Sequence, residues 1–277
     1  MNKIEIDFLQ DMWEVATIFD VVKGKLKVVE TAEDDGIFLA GDSFISAYSA
    51  DLSPKWECDT NYPITAMTQK NGTIYVASKN KVEVLDNKGN KIASWGTFDT
   101  NSILTSISAN DNYVAIADAG VKVVYIYDNN GNMLHIMGKS DERFIVPSPY
   151  FDLHLANDNT LFVANPGRLR IEHRNIDGTL IDFFGEPGMD PSSFCICCNP
   201  THFCVNNKRF ITAEKGLNRI KILSEKGEFI EFVNSNNSFL PPIPLDIAVS
   251  SDGSKIYGAY SGNSKLYIFK RKPNAQS

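Results

Sequence analysis

The chain has 277 residues, 43% hydrophobic and 22% charged, an ordinary globular composition that can bury a sizeable core and excludes a disordered or low-complexity protein. Its 27 basic residues stand against 34 acidic ones, for a net charge of −7. That balance argues against a general nucleic-acid or anionic-membrane binder, both of which need a basic footprint.

In chain order, the opening Met1-Asn2-Lys3-Ile4-Glu5-Ile6-Asp7 lacks the apolar core of a secretory signal, and no later stretch approaches the roughly 20 apolar residues of a membrane span. Lys3 to Phe8 alternates as an edge-pairing strand should. Residues 9 to 25 fit no regular unit cleanly; Met12-Trp13-Glu14-Val15-Ala16 reads as a short helix or part of a strand. Asp34-Asp35-Gly36-Ile37-Phe38-Leu39-Ala40 then opens a repeat. Its clearest copy runs from Ile64 to Gly96 as four strands separated by tight turns, with Asn71-Gly72 and Asn87-Lys88-Gly89-Asn90 supplying the positive φ that short hairpins require.

The second turn recurs at Gly131, Gly178 and Gly227, a period of about 40 to 50 residues with four strands per unit, which is the pattern of a propeller blade. The last copy, through Ile268 and Phe269, has only three strands. Lys3 to Phe8 is the expected fourth, closing the ring and removing an exposed edge. The reading is therefore all-β: one six-bladed β-propeller domain over residues 1–277, with four-stranded antiparallel blades near 26–58, 64–96, 103–138, 150–185, 200–233, and 244–270 plus the N-terminus.

With strands A to D numbered outward from the axis, A–B and C–D turns share one face and are short and generic. B–C turns and D–A connections share the other, and there the distinctive residues gather: Asp118-Ala119-Gly120, Val146 to Asp152, Asn165-Pro166-Gly167-Arg168, Glu186 to Thr201, and Glu214 to Arg219. Loops carry function more often than scaffold strands. The ligand-binding candidates on this rim are Asp118, Tyr150, Asp152, Asn165, Arg168, Glu214, Lys215 and Arg219. Arg168, Lys215 and Arg219 could clamp a carboxylate or phosphate; ion pairing with Asp118, Asp152, Asp190 and Glu214 on the same face would explain all of them and is the favoured reading. The glycines and prolines need no more than turn chemistry.

These segments, with Phe194-Cys195-Ile196-Cys197-Cys198-Asn199-Pro200, resemble those of bacterial NHL-repeat propellers carrying a Cys-x-Cys-Cys-Asn-Pro motif, over nearly the whole chain. The resemblance implies an NHL-like fold, singles out the motif and names no activity. Ile196 stands where the pattern has Gly, and Leu169 where it has His. A protein of this kind would be soluble, either bacterial cytoplasmic or exported after losing a signal.

Cys195, Cys197, Cys198 and His202 are the candidate metal or redox residues. With Cys204 they supply enough ligands for a metal ion or an iron–sulfur cluster, but not at the paired Cys-x2-Cys spacing that structural zinc sites prefer. A disulfide from Cys195 to Cys198 or Cys204 is the other option. Inner strands align His202 and Cys204 with Ala66 and Thr68, Ser106 and Ser108, and Leu153 and Leu155; His154 then falls with the core positions Met67, Ile107 and Phe203. No triad order, phosphate loop or dinucleotide fingerprint is present. A binding or scaffold propeller therefore leads, recognising a small molecule, peptide or protein on the rim of blades three to five. A metal-assisted lyase or hydrolase at the central channel, using His202, Asp152, Asn165 and Glu214, and a redox protein using the cysteines remain alternatives.

Overall fold

The computed structural model describes residues 10–273 apart from 97, 140–142, 196–198, 217 and 236–238. The first strand, β1 (Trp13–Asp20), finds its partner only at the far end of the chain. Blade one is β2 (Leu26–Thr31), β3 (Ile37–Gly41), β4 (Phe44–Tyr48) and β5 (Pro54–Asp59). Blade two is β6 (Ile64–Lys70), β7 (Thr73–Ser78), β8 (Lys81–Leu85) and β9 (Lys91–Trp95). Blade three comprises β10 (Leu104–Ala109), β11 (Tyr113–Asp118), β12 (Val123–Asp128) and β13 (Met133–Met137). Blade four comprises β14 (Leu153–Leu155), β15 (Thr160–Asn165), β16 (Arg170–Asn175) and β17 (Leu180–Phe184). Blade five is β18 (His202–Asn206), β19 (Arg209–Ala213), β20 (Ile220–Leu223) and β21 (Phe229–Asn234). Blade six is β22 (Asp246–Val249), β23 (Lys255–Tyr260), β24 (Lys265–Arg271) and, outermost, β1. Each blade is an antiparallel meander, and the innermost strands contact one another in sequence until β22 meets β2. The chain is a six-bladed β-propeller.

Ring closure departs from expectation. The fourth strand of blade six is β1, paired with β24 from Trp13 opposite Arg271 to Asp20 opposite Lys265, not Lys3 to Phe8, which lie outside the described residues. The reason is physical. As an outermost strand β1 buries little besides Trp13, and a register shift between Val15 and Thr17 breaks its alternation, so the usual strand signal is weak.

The core lies between the blades. Six apolar clusters each join two neighbouring sheets, such as Ile211, Ile222, Ile247 and Phe269 between blades five and six. Full burial of one such side chain contributes about 1.5–3 kcal/mol. One small residue recurs in every second strand: Ala40, Ala77, Ala117, Ala164, Ala213 and Ala259 are all at most 1% exposed. Each marks the level at which its blade's innermost strand faces the axis. Val28, Ala66, Ser106, His202 and Asp246 stand directly opposite Ala40, Ala77, Ala117, Ala213 and Ala259. In blade four the Ala164 amide donates to the Asp152 carbonyl (2.9 Å), so Asp152 takes this position.

Candidate functional site

Two rings of side chains therefore line the axis. Around the first run Val28, Ala66, Ser106, Asp152, His202 and Asp246; two residues further along each strand run Glu30, Thr68, Ser108, His154, Cys204 and Ala248. All but Ala248 line a cavity of about 90 Å³. Titratable groups from blades four, five, six and one occupy one arc of it, and small or hydroxylated residues the other. No lysine or arginine lines it.

His202 holds this arc together, its Nδ1 lying 3.3 Å from Asp246 Oδ1 and 3.8 Å from Asp152 Oδ2. Backbone amides anchor the carboxylates: Phe203 N donates to Asp152 Oδ2 (2.8 Å), Leu153 N to Asp152 Oδ1 (2.9 Å), and Val29 N to Asp246 Oδ2 (2.9 Å). The Thr68 hydroxyl donates to Glu30 Oε1 at 3.2 Å. Removal from bulk solvent raises the carboxyl pKa values, because it disfavours their charged forms. Asp152 is raised despite the nearby His202, Asp246 is raised to about 6 against the same opposing influence, and Glu30 is raised to about 8, with Asp246 adding to the burial effect. Burial also lowers His154 to about 4 and pushes the Cys204 thiol well up.

At the mouth, the Tyr150 ring meets His202 edge-on with centroids 5.9 Å apart, and Lys215 Nζ lies 5.6 Å from the same ring's centroid. Tyr150, Asp152, Lys215 and His202 are thus the predicted residues that come together. Arg168, at the end of the short 3-10 turn Pro166–Arg168, is exposed.

Four other predicted ligand-binding residues are structural. Asp118, Asn165 and Glu214 each follow the recurring alanine and each accept an amide from the preceding inter-blade connection: Ile103 N (2.9 Å), Ile145 N (3.0 Å) and Cys195 N (3.3 Å). They fasten that connection to the B–C turn and are at most 1% exposed. Asp118 Oδ1 also accepts Gly120 N and Val121 N. Asn165 donates to Glu172 Oε1 at 2.9 Å. Arg219 is spent on Glu214 at 2.7 and 3.0 Å and on the Ser193 carbonyl at 3.0 Å, while fully buried Lys221 reaches Glu214 at 3.1 Å and the Ser193 carbonyl at 2.5 Å. Glu214 and Arg219 pair with each other, Arg168 is exposed, and neither Asn165 nor Glu214 lines the channel cavity.

The cysteine proposal divides similarly. Cys195 and Cys204 are free thiols and are not joined to each other, while the Cys195–Cys198 alternative involves a residue outside the described ones. Cys195 packs beneath the blade-five turn, its Sγ 3.0 Å from Asn199 Nδ2 and 3.7 Å from the Lys215 carbonyl; burial and then Glu214 raise its pKa. Cys197 and Cys198 lie outside the described residues. Among the described residues no three His, Cys, Asp or Glu side chains are disposed around one metal position. His202 belongs instead with Asp152 and Asp246.

Sequence reasoning missed Glu30, His154 and Asp246. The alanine register would have found them: Ala164 aligns Asp152 and His154, rather than Leu153 and Leu155, with the axial positions of the other blades, and a shift of one residue reverses the facing of every side chain.

No protein-family model matches the chain, and no curated protein matches its sequence. Solved structures do match its shape. A streptogramin B lyase superposes with a TM-score of 0.66 at 13% identity, covering 94% of this chain and 97% of that one. The WD40 β-propeller domain of Doa1 gives 0.64 at 15% identity, with 92% and 82% covered. A catalytically inactive variant of virginiamycin B lyase from Staphylococcus aureus, with quinupristin, gives 0.62 at 15%, with 90% and 82% covered. At these identities the likeness shows the fold alone. No helix of the described residues is long and apolar enough to cross a membrane.

Proposed function

We propose that this chain is a single-domain binding propeller of the NHL-repeat kind, and that it recognises a small zwitterion, an amino acid or short peptide, at the mouth of its channel. The carrying observation is the convergence of Asp152, Asp246 and Glu30 on a cavity lined by no lysine or arginine. Carboxylates in a low-dielectric enclosure attract a cation far more strongly than they would in bulk water. A cavity of about 90 Å³ admits an ammonium group and little more, whereas whole-ligand pockets run to about 300–1,000 Å³. The body of the ligand therefore rests on the rim. There Lys215 sits one ring away from His202, so an acidic group carried beside the ammonium meets a positive charge.

Calorimetric titration with leucine and with N-acetyl-leucine tests this reading. The free amino acid is expected to bind, acetylation to abolish binding, and Asp246→Asn to weaken it about tenfold or more, as loss of a charge-assisted contact does. Failure of leucine to bind, or equal binding of the acetylated compound, overturns it.

A further inference from the structure

Among the described residues twelve large apolar side chains are substantially exposed, and the fold sorts them. Seven belong to outermost strands: Val15 and Ile18 in β1, Ile92 in β9, Met133 and Leu134 in β13, and Ile181 and Phe183 in β17. The other five come singly from five D–A connections: Val22 before β2, Ile103 before β10, Ile145 before β14, Met189 before β18 and Leu240 before β22. Their exposure runs from 37% at Ile103 to 93% at Val22, and none of the twelve lies on an A–B or C–D turn. Single exposed apolar residues are ordinary; five confined to one face of a ring are a property of that face. The backbone fixes their positions. Asp118 and Asn165 hold the amides of Ile103 and Ile145. Met189 sits in a loop closed by Phe194 N to the Glu186 carbonyl (2.9 Å), Gly188 N to the Phe194 carbonyl (3.0 Å) and Ser193 N to the Asp190 carbonyl (3.0 Å).

Charge is sorted in the same sense. Between the strands, the A–B and C–D turns carry eleven carboxylates and three lysines. On the other face Lys25, Lys79, Lys122, Lys139, Arg143 and Arg168 are all exposed, and none of the six pairs with a described carboxylate. Lys215 adds a seventh cation, beside Tyr150. The exposed acids there are fewer. Asp42 is taken by Lys27 at 2.5 Å, which leaves Asp99, Glu186 and Asp190. Asp141 and Glu142 belong to the same connections and lie outside the described residues; with them counted, the cations are still in excess. The net charge of −7 thus conceals a basic footprint on the face that carries the exposed apolar side chains, because the carboxylates are gathered on the face opposite.

We propose that this face docks on the surface of an anionic phospholipid bilayer, the five apolar side chains entering the interface and the lysines and arginines meeting lipid phosphates. Both terms act together in peripheral binding, since attraction scales with the apolar area inserted and with the cations held close to a negative surface. The separation of the five favours a bilayer over a protein partner. A protein interface packs a contiguous apolar core, whereas a layer of lipid headgroups receives side chains one at a time. Docking of this kind needs no spanning segment. It rests on the connections of the rim and is independent of the channel's ligand.

The test is sedimentation of the intact chain with sucrose-loaded vesicles, of phosphatidylcholine alone and of phosphatidylcholine with phosphatidylglycerol at about two to one. The chain is expected to bind the mixed vesicles, about tenfold or more tightly than the neutral ones, and to be released as salt is raised. Val22→Asp with Met189→Asp, both at highly exposed positions, should weaken binding to the mixed vesicles about tenfold or more, because each exchanges an inserting side chain for a repelled charge. Met133→Asp, equally apolar and exposed but on an outermost strand, should bind as the parent does; an unchanged melting temperature would certify the fold of both variants. No binding to the mixed vesicles, equal binding to the neutral ones, indifference to the double substitution, or an equal loss from Met133→Asp overturns the proposal.

Discussion

Two regions of this molecule bury charge, and they do so differently. In the wedge behind the blade-five turn, Glu214 is held by Arg219 and Lys221, and in blade four Glu172 is held by Arg170 at 2.6 Å, Arg174 at 2.7 Å and Asn165 at 2.9 Å. Every carboxylate there has cations of its own; despite the opposing cost of burial, Arg170 and Arg174 hold Glu172 below its ordinary value. Along the channel the arrangement is reversed. Asp152, Asp246 and Glu30 share the cavity with two histidines and no lysine or arginine, and all three are pushed upward. A network that balances internally is a structural device, because its charges have no need of a ligand. An enclosure of one sign, paid for by raised pKa values, is where a ligand of the other sign gains most.

The contrast can be broken from either side. The largest effect is expected in the wedge: Glu214→Gln leaves Arg219 and Lys221 buried without their counter-charge and should destabilise the fold by about 3–5 kcal/mol, read as a lowered urea midpoint at pH 7. A loss below about 1 kcal/mol would mean that the wedge is not the balanced unit described, since surface-type pairs are worth no more than that. The smaller effect, of opposite sign, belongs to the channel. Folding raises the Glu30 carboxyl from 4.5 to about 8, so the native state holds this proton more tightly than the unfolded chain. Its contribution is fully present below about pH 4.5 and is lost as the pH rises towards 8. Glu30→Gln, which keeps the neutral shape, should therefore match the parent at pH 4.5 and exceed it by about 1–3 kcal/mol at pH 8. A parallel pH dependence in the two proteins would remove Glu30 from the account.

The fold was legible in the chain because propeller blades repeat their turn chemistry: Gly89, Gly131, Gly178 and Gly227 all have positive φ at corresponding hairpins. The closing strand was not, because β1 is an exposed outer strand carrying a register shift. The site was half legible. Tyr150, Asp152, Lys215 and His202 fall in distinctive segments, but Glu30 and Asp246 sit in ordinary-looking inner strands, and only the pairing of six separate strands brings them to one axis. Asp118, Asn165 and Glu214, which the sequence places on the rim, turn inward to hold backbone amides. A polar residue at the start of a conspicuous turn has the same appearance in sequence whether it faces solvent or turns inward to hold a backbone amide. The distinctive segments of the sequence lie in blades three to five, whereas the channel's ionisable arc runs through blades four, five, six and one.

The most direct test of the channel's role is the proton count on binding. Titration of leucine into the protein at pH 7, in two buffers of different ionisation enthalpy, measures protons released per ligand bound. With Glu30 raised to about 8 and Asp246 to about 6, entry of an ammonium group should expel a substantial fraction of one proton, and affinity should rise with pH between 6 and 8. Binding with no proton release and no pH dependence over that interval would contradict an ammonium site among these carboxylates.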